Sequence, residues 1–284
     1  MNCITEEARA KINLTLPVLG KRPDGYHELD TIMMSVTLAD TVELVPAAGI
    51  SLAVEGSAPR GPENLMWRAA ALFFRETGGE GAAMRLVKRI PSEAGLGGGS
   101  ADAAAVLRGL NRMTGAGLSP AELASLGAEL GADVPFCVVG GCARCGGIGE
   151  KLKRLPPWPG MPLLIVRPDI SVSTGKAYAE LDRRSGAGKN TSDAAEAAIR
   201  AGDFPALAAA LSNDFEDALF PLEPRLREAA EAVRALGRPA LMSGSGSAFF
   251  LFIPPAARGK AAAAFRAAHP GWFAAEAETA GGYF

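Results

Sequence analysis

Excess charge of one sign, long apolar runs and paired cysteines are all missing from this 284-residue chain, and each absence closes a route. Lysine plus arginine number 29 and aspartate plus glutamate 31, so a formal charge of −2 offers no net attraction to a polyanion or an anionic membrane surface. Nucleic acid is not an expected partner. The longest uncharged run, residues 239–257, is broken by Ser243-Gly244-Ser245-Gly246-Ser247 and by Pro254-Pro255, so no membrane span is expected from it. The opening residues Met1-Asn2-Cys3-Ile4-Thr5-Glu6-Glu7 are acidic and lack the apolar stretch of a secretory signal, and a cytoplasmic location is expected. Four cysteines, at 3, 137, 142 and 145, are too few and too clustered for a disulfide framework. Cys142-Ala143-Arg144-Cys145 has redox or zinc spacing, but it has no second pair and the only histidines are His27 and His269, so structural thiols are expected.

What is present is the composition of a folded protein, 48% hydrophobic and 21% charged, with mixed helix and strand patterns. Residues 41–45 and 50–54 read as two β-runs joined in a hairpin by Pro46-Ala47-Ala48-Gly49. Leu65, Ala69, Leu72 and Phe73 recur at near-helical spacing behind Asn64, which would start that helix. Met84, Leu86 and Ile90 alternate as in a strand, and Ala103, Val106, Leu107 and Leu110 follow as a helix. Ser119-Pro120-Ala121-Glu122 is a capping box; its helix should stop at Gly131, leaving Asp133 just beyond a C-terminus. Residues 136–139 and 142–145 read as short strands. Four prolines within residues 155–162 mark a boundary, dividing the chain into 1–156 and 157–284.

The strongest chemical signal lies between a strand and a helix, at Pro91-Ser92-Glu93-Ala94-Gly95-Leu96-Gly97-Gly98-Gly99-Ser100-Ala101-Asp102. A plain turn needs one or two glycines; four in five positions let backbone amides at a helix N-terminus approach an anion, most often phosphate. Neither the Walker pattern nor the dinucleotide fingerprint fits: Gly186-Ala187-Gly188-Lys189-Asn190 lacks the leading glycine and the hydroxyl residue, and reads as a mobile surface loop. A second loop, residues 243–247, precedes an apolar strand and suggests the other wall of one anion site. Near the N-terminus, Lys11, Asn13 and Thr15 share one strand face. Residues 20–29, with Lys21, Arg22, Tyr26 and His27, have the composition of a small-molecule recognition turn.

Taken together, Ala10-Lys11-Ile12-Asn13-Leu14, Arg22-Pro23-Asp24-Gly25-Tyr26-His27, residues 91–104, Gly131-Ala132-Asp133-Val134-Pro135-Phe136 and Ser243-Gly244-Ser245-Gly246 resemble, in order, the motifs of the GHMP kinase superfamily. The resemblance implies an α+β, two-domain GHMP kinase fold, with an N-terminal domain like domain 2 of ribosomal protein S5 and a ferredoxin-like C-terminal domain. It implies ATP and magnesium as cofactors and a small-molecule substrate. Within the superfamily, the Lys-Ile-Asn start and the Asp-Gly-Tyr-His turn imply phosphorylation of the 2-hydroxyl of a cytidine diphosphate derivative of methylerythritol, for isoprenoid precursors. Residues 171–178 and 211–216 resemble second-domain landmarks of the same group.

Position by position, the resemblance implies that Pro91 through Ala101 wrap the ATP phosphates and that the Ser100 hydroxyl sits near magnesium. Asp133 would accept the substrate hydroxyl proton, and Lys11 would orient it and stabilise the transferring charge. Tyr26 and Tyr178 would sandwich the cytosine ring, His27 would read its edge, and Asn13 and Thr174 would hold the substrate. Asn64 and Lys88 would contact the nucleoside of ATP. Three departures stand out: Glu93 where glycine is more usual, expected to face solvent; Asp102 for the common asparagine; and Arg167-Pro168-Asp169-Ile170 for a Pro-Gly turn. The alternatives are a GHMP kinase for homoserine or mevalonate and a catalytically dead nucleotide sensor on the same fold. Oligomeric state stays open.

Overall fold

The computed structural model describes residues 3–158, 160–183 and 190–284. The glycine-rich stretch expected as a mobile loop lies outside them, apart from Asn190.

In the first half, chain order runs β1 (Ile4–Leu16), β2 (Val18–Lys21), β3 (His27–Leu29), β4 (Thr31–Pro46), β5 (Ser51–Glu55), α1 (Leu65–Thr77) and β6 (Ala82–Val87). It continues through α2 (Gly98–Thr114), α3 (Pro120–Ala128), α4 (Val134–Val139), β7 (Cys142–Gly146) and β8 (Lys151–Arg154). The long strands β1 and β4 pair antiparallel, and β6 then β5 extend the sheet. The hairpin expected at residues 41–54 does not form: β6 inserts between the two runs, antiparallel to β4 and parallel to β5. A parallel neighbour needs a crossover, and α1 supplies it, so the short turn at residues 46–49 joins strands that are not partners.

The second half holds β9 (Pro162–Arg167), α5 (Thr174–Leu181), α6 (Ser192–Ala201), α7 (Phe204–Ala210), β10 (Ser212–Asn213), α8 (Asp214–Leu219) and α9 (Pro224–Arg234). Then come β11 (Ala240–Met242), β12 (Phe249–Phe252), α10 (Ala261–Ala268) and β13 (Phe273–Glu278). Its four-stranded sheet has the order β11-β12-β9-β13 and is antiparallel throughout.

Alternation along β1 explains how the halves meet. Ala10, Ile12 and Leu14 join Leu163, Ile165 and Phe250 in one buried cluster, so that face looks into the second half. The other face carries Lys11, Asn13 and Thr15, all buried. Polar residues buried in a strand need partners: Lys11 and Asn13 line a cleft, while the Thr15 hydroxyl is engaged by Ser192 Oγ and Ile32 N. The second half also reaches into the first sheet, where β10 pairs parallel with β1 through Thr15–Ser212 and Leu16–Asn213.

Residues 136–139, expected as a strand, belong to the short helix α4. Val134, Pro135, Phe136, Cys137, Val138 and Val139 are buried on every side, so no polar stripe reveals the helical period. The position of Asp133 changes accordingly. Helix α3 ends at Ala128, and Asp133 is the N-cap of α4, at the positive end of a dipole rather than the negative end expected.

Candidate active site

Gly97 takes the left-handed conformation, φ 68°, and α2 begins at the next residue. Its first-turn amides have no intrahelical partner and no side-chain cap. The second loop locks onto this one. Ser243 Oγ donates to Gly95 O at 2.9 Å, and Ala248 N to Ala94 O at 3.1 Å. Gly95, at φ 74°, allows the contact, since a Cβ there would stand 1.9 Å from Ser243 O. The two glycine loops thus form one wall of a cleft of about 1360 Å³ lined by residues of both halves.

Lys11 projects from β1 into this cleft with its side chain 4% exposed, and its Nζ lies 3.5 Å from Asp133 Oδ2. The same ammonium donates to Asn13 Oδ1 at 2.6 Å. Asn13 Oδ1 also accepts from Gly244 N at 3.1 Å, while its Nδ2 donates to Thr31 Oγ1, whose hydroxyl donates to Thr15 O at 2.6 Å. Asn13 therefore ties the lysine to the second glycine loop. A lysine has three N–H donors, so one remains for a ligand after Asn13 and Asp133 are served.

Also in the cleft, the His27 ring stacks on Tyr178, centroids 4.6 Å apart, and Tyr178 and Phe215 meet in a T-shaped contact with centroids 4.9 Å apart. Burial, with the charge of Asp133, pushes the Tyr178 hydroxyl up to about 12, so it stays protonated at neutral pH. Tyr26 lines the same cleft but stands 60% exposed. Thr174, first residue of α5, shares a hydrogen bond with Ser245 at 2.9 Å and so links α5 to the second glycine loop. Ser100 and Glu93 both line the cleft; Glu93 is exposed at its rim in a left-handed conformation, φ 53°.

Two expected nucleotide contacts are engaged elsewhere. Asn64 caps α1, accepting from Met66 N at 2.8 Å and donating to Pro59 O at 2.7 Å. Lys88 Nζ is held between Asp40 at 2.5 Å and Asp102 at 2.9 Å, all buried beneath the start of α2. Burial pushes the Asp102 carboxyl up to about 8, the Asp40 charge adding to it against the pull of Lys88. Cys137, Cys142 and Cys145 are buried, and burial pushes the Cys142 thiol up to about 12, which keeps it un-ionised.

Sequence reasoning missed Arg68, Lys176 and Asp182, which also line the cleft. Arg68 sits on an amphipathic helix and carries no motif, and Lys176 lies within the landmark 171–178 but was given no role there. Asp182 is the C-cap of α5 and bonds both Lys21 and His27, a contact 155 residues away from His27 in sequence.

Anion-seeking amides on one wall and a buried lysine paired with a half-buried aspartate beside them are what phosphoryl transfer to a hydroxyl needs, and the class they define is a small-molecule kinase. Comparison with known proteins makes the class specific. The GHMP kinases N-terminal domain model matches residues 64–141, and the GHMP kinases C-terminal model residues 195–271. A 4-diphosphocytidyl-2-C-methyl-D-erythritol kinase from Pelotomaculum thermopropionicum is 49% identical over 253 residues, 87% of this chain and 88% of that protein. The protein of that name from Pelobacter propionicus is 39% identical over 284 residues, covering 98% of this chain and 100% of its own. A crystal structure of 4-(cytidine 5'-diphospho)-2C-methyl-D-erythritol kinase superposes with a TM-score of 0.82 at 38% identity, covering 98% of this chain and 100% of that one. A homoserine kinase from Cytophaga hutchinsonii shares the fold, with a TM-score of 0.72 at 18% identity over 97% of this chain and 95% of its own. The chain belongs to the GHMP kinases and has their α+β two-domain fold. Kinases of this family take ATP as phosphate donor. Among the described residues, no helix is long and apolar enough to cross a membrane.

Proposed function

We propose that this chain transfers the γ-phosphoryl group of ATP to the 2-hydroxyl of 4-diphosphocytidyl-2-C-methyl-D-erythritol, giving the 2-phosphate and ADP, as a cytoplasmic step toward isoprenoid precursors. The observation that carries the reading is one cleft holding the Lys11–Asp133 pair, the glycine loop and the His27–Tyr178 ring stack together. The names of its relatives at 39% to 49% identity support the choice of alcohol.

In this reading the amides at the start of α2 bind the phosphates, with Gly95 through Ser100 lying against them. Asp133 accepts the proton of the attacking hydroxyl. Lys11 holds Asp133 in place and turns its remaining N–H toward the transferring oxygens, where desolvation makes it worth more than in water. Tyr26 and Tyr178 flank the pyrimidine, and His27 reads its edge. Asn13 acts through Lys11 and keeps one amide hydrogen for the alcohol. Asn64 and Lys88 serve the nucleotide indirectly, by capping α1 and by supporting α2 from below.

Magnesium belongs to the same proposal. Among the described residues there is no cluster of three acidic, cysteine or histidine ligands, while the Ser100 hydroxyl opens on the cleft beside the amides. That donor set fits an ion carried mainly by phosphate oxygens and water, with Ser100 as a protein ligand. When bound, such an ion neutralises phosphate charge. We also propose 1–156 and 157–284 as the two domains, the proline-rich stretch between β8 and β9 being their link.

Turnover of the purified chain with the diphosphocytidyl alcohol, mevalonate and homoserine tests the reading, with the product mapped by phosphorus NMR. Phosphate on the 2-oxygen of the first alone is expected. Preferential transfer to either of the others, or none to the first, overturns it.

A further inference from the structure

We propose that Asp182 is a positioning residue that decides which nitrogen of His27 carries the proton, and so makes the cleft prefer a base with an amino edge over one with a keto edge. The inference rests on the functional reading above and names a specificity residue of that same site.

His27 Nε2 lies 2.6 Å from Asp182 Oδ1, and Lys21 Nζ lies 2.6 Å from Asp182 Oδ2, so each carboxylate oxygen has a partner. Lys21 and His27 face each other across the β2–β3 ladder, and Asp182 arrives from the end of α5 in the other half of the chain. Hydrogen bonds from Lys21 first and from His27 next hold the Asp182 carboxyl below its ordinary range. It is therefore an anion, which can only accept. The hydrogen between it and the ring must sit on Nε2, and a neutral imidazole then offers Nδ1 as an acceptor.

The ring is not free to turn, because it stacks on Tyr178 at an interplanar angle of 22°. It lines the cleft, and Nδ1 has no hydrogen bond among the described residues. An acceptor there pairs with the exocyclic amine of cytosine. Against uracil it meets a keto oxygen, and two acceptors face each other with no hydrogen between them.

The test uses the full chain with nitrogen-15 histidine near pH 8, where an ordinary imidazole is neutral. With only two histidines in the sequence, the His27 signal is readily assigned. The wild type should show the hydrogen on Nε2 and bind CDP more tightly than UDP. In Asp182→Asn, Lys21 keeps the remaining oxygen, so the amide nitrogen turns to His27, Nε2 must accept, and the hydrogen moves to Nδ1. The preference for CDP over UDP should then fall about tenfold to a hundredfold, the cost of one unmatched buried pair, with ATP affinity unchanged. Asp182→Ala, which leaves the ring without a partner, should give mixed tautomers and an intermediate preference. A wild type with the hydrogen on Nδ1, or an unchanged tautomer and preference in the folded variants, overturns the inference. A wild type that phosphorylates mevalonate or homoserine but not the diphosphocytidyl alcohol overturns the functional reading instead, and the CDP and UDP affinities still decide this one.

Discussion

Lys88 holds two acidic side chains at once, those of Asp40 and Asp102, beneath the first turn of the phosphate-loop helix. Asp40 spends its other oxygen on the backbone amides of Arg89 and Ile90, whereas Asp102 Oδ1 is buried without a hydrogen bond among the described residues. With the Asp102 carboxyl raised from 3.8 to about 8, mainly by burial, folded and unfolded chains hold its proton over different ranges. Below pH 3.8 both are protonated; above it the unfolded chain loses the proton while the folded one keeps it to about pH 8, so this group's contribution to stability declines across that window. Asp102→Asn removes the slope. Urea unfolding at a series of pH values should show the variant gaining on the wild type between pH 4 and about 8. Parallel curves would mean that Asp102 is ionised when folded. The rest of the site shows the same limit on what single residues disclose. A lysine on an alternating strand ordinarily faces solvent, and only the family motif raised Lys11 above that. Asp182 had no motif at all, since its meaning comes from two contacts made by folding.

Between elements, the decisive contact joins the two glycine loops. Ser243 O lies 1.9 Å from where a Cβ on Gly95 would be, and a Cβ on Gly244 would stand 2.9 Å from the Gly95 carbonyl oxygen. Gly95→Ala must therefore separate the loops and strain a left-handed residue, at a cost of about 1–3 kcal/mol. A melting temperature several degrees lower, with weaker ATP binding, is expected by calorimetry; an unchanged melting point would mean that the loops tolerate separation. Much at this scale was legible beforehand. The cap at Asn64, the capping box at Ser119 and the stripe of α2 are local signals, and the elements follow them. What failed was non-local. Residues 41–54 look like a hairpin until β6 claims the space between the runs, and α4 has no amphipathic stripe because it is buried all round. That second misreading also reversed the dipole at Asp133, which now favours negative charge at the proposed base.

Across the whole molecule, the two proposed domains share one apolar cluster, with Ile12, Leu14 and Met34 from the first and Leu163, Ile165 and Phe250 from the second. Pulling them apart would expose both sets at about 25 cal/mol per Å². Unfolding should accordingly be a single transition: fluorescence of Trp67 in the first half and of Trp272 in the second, each as the sole tryptophan, should give coincident denaturation curves. Separated midpoints would show that each domain stands alone. The same two halves line the cleft that holds Lys11 and Asp133, where the proposed transfer takes place. The most direct test of that arrangement is ATP affinity and ADP release measured side by side for Asp133→Asn and the wild type. Near-normal ATP binding with turnover reduced by about 10² to 10⁴ is the predicted result; turnover close to wild type would contradict the assignment of Asp133 as the base.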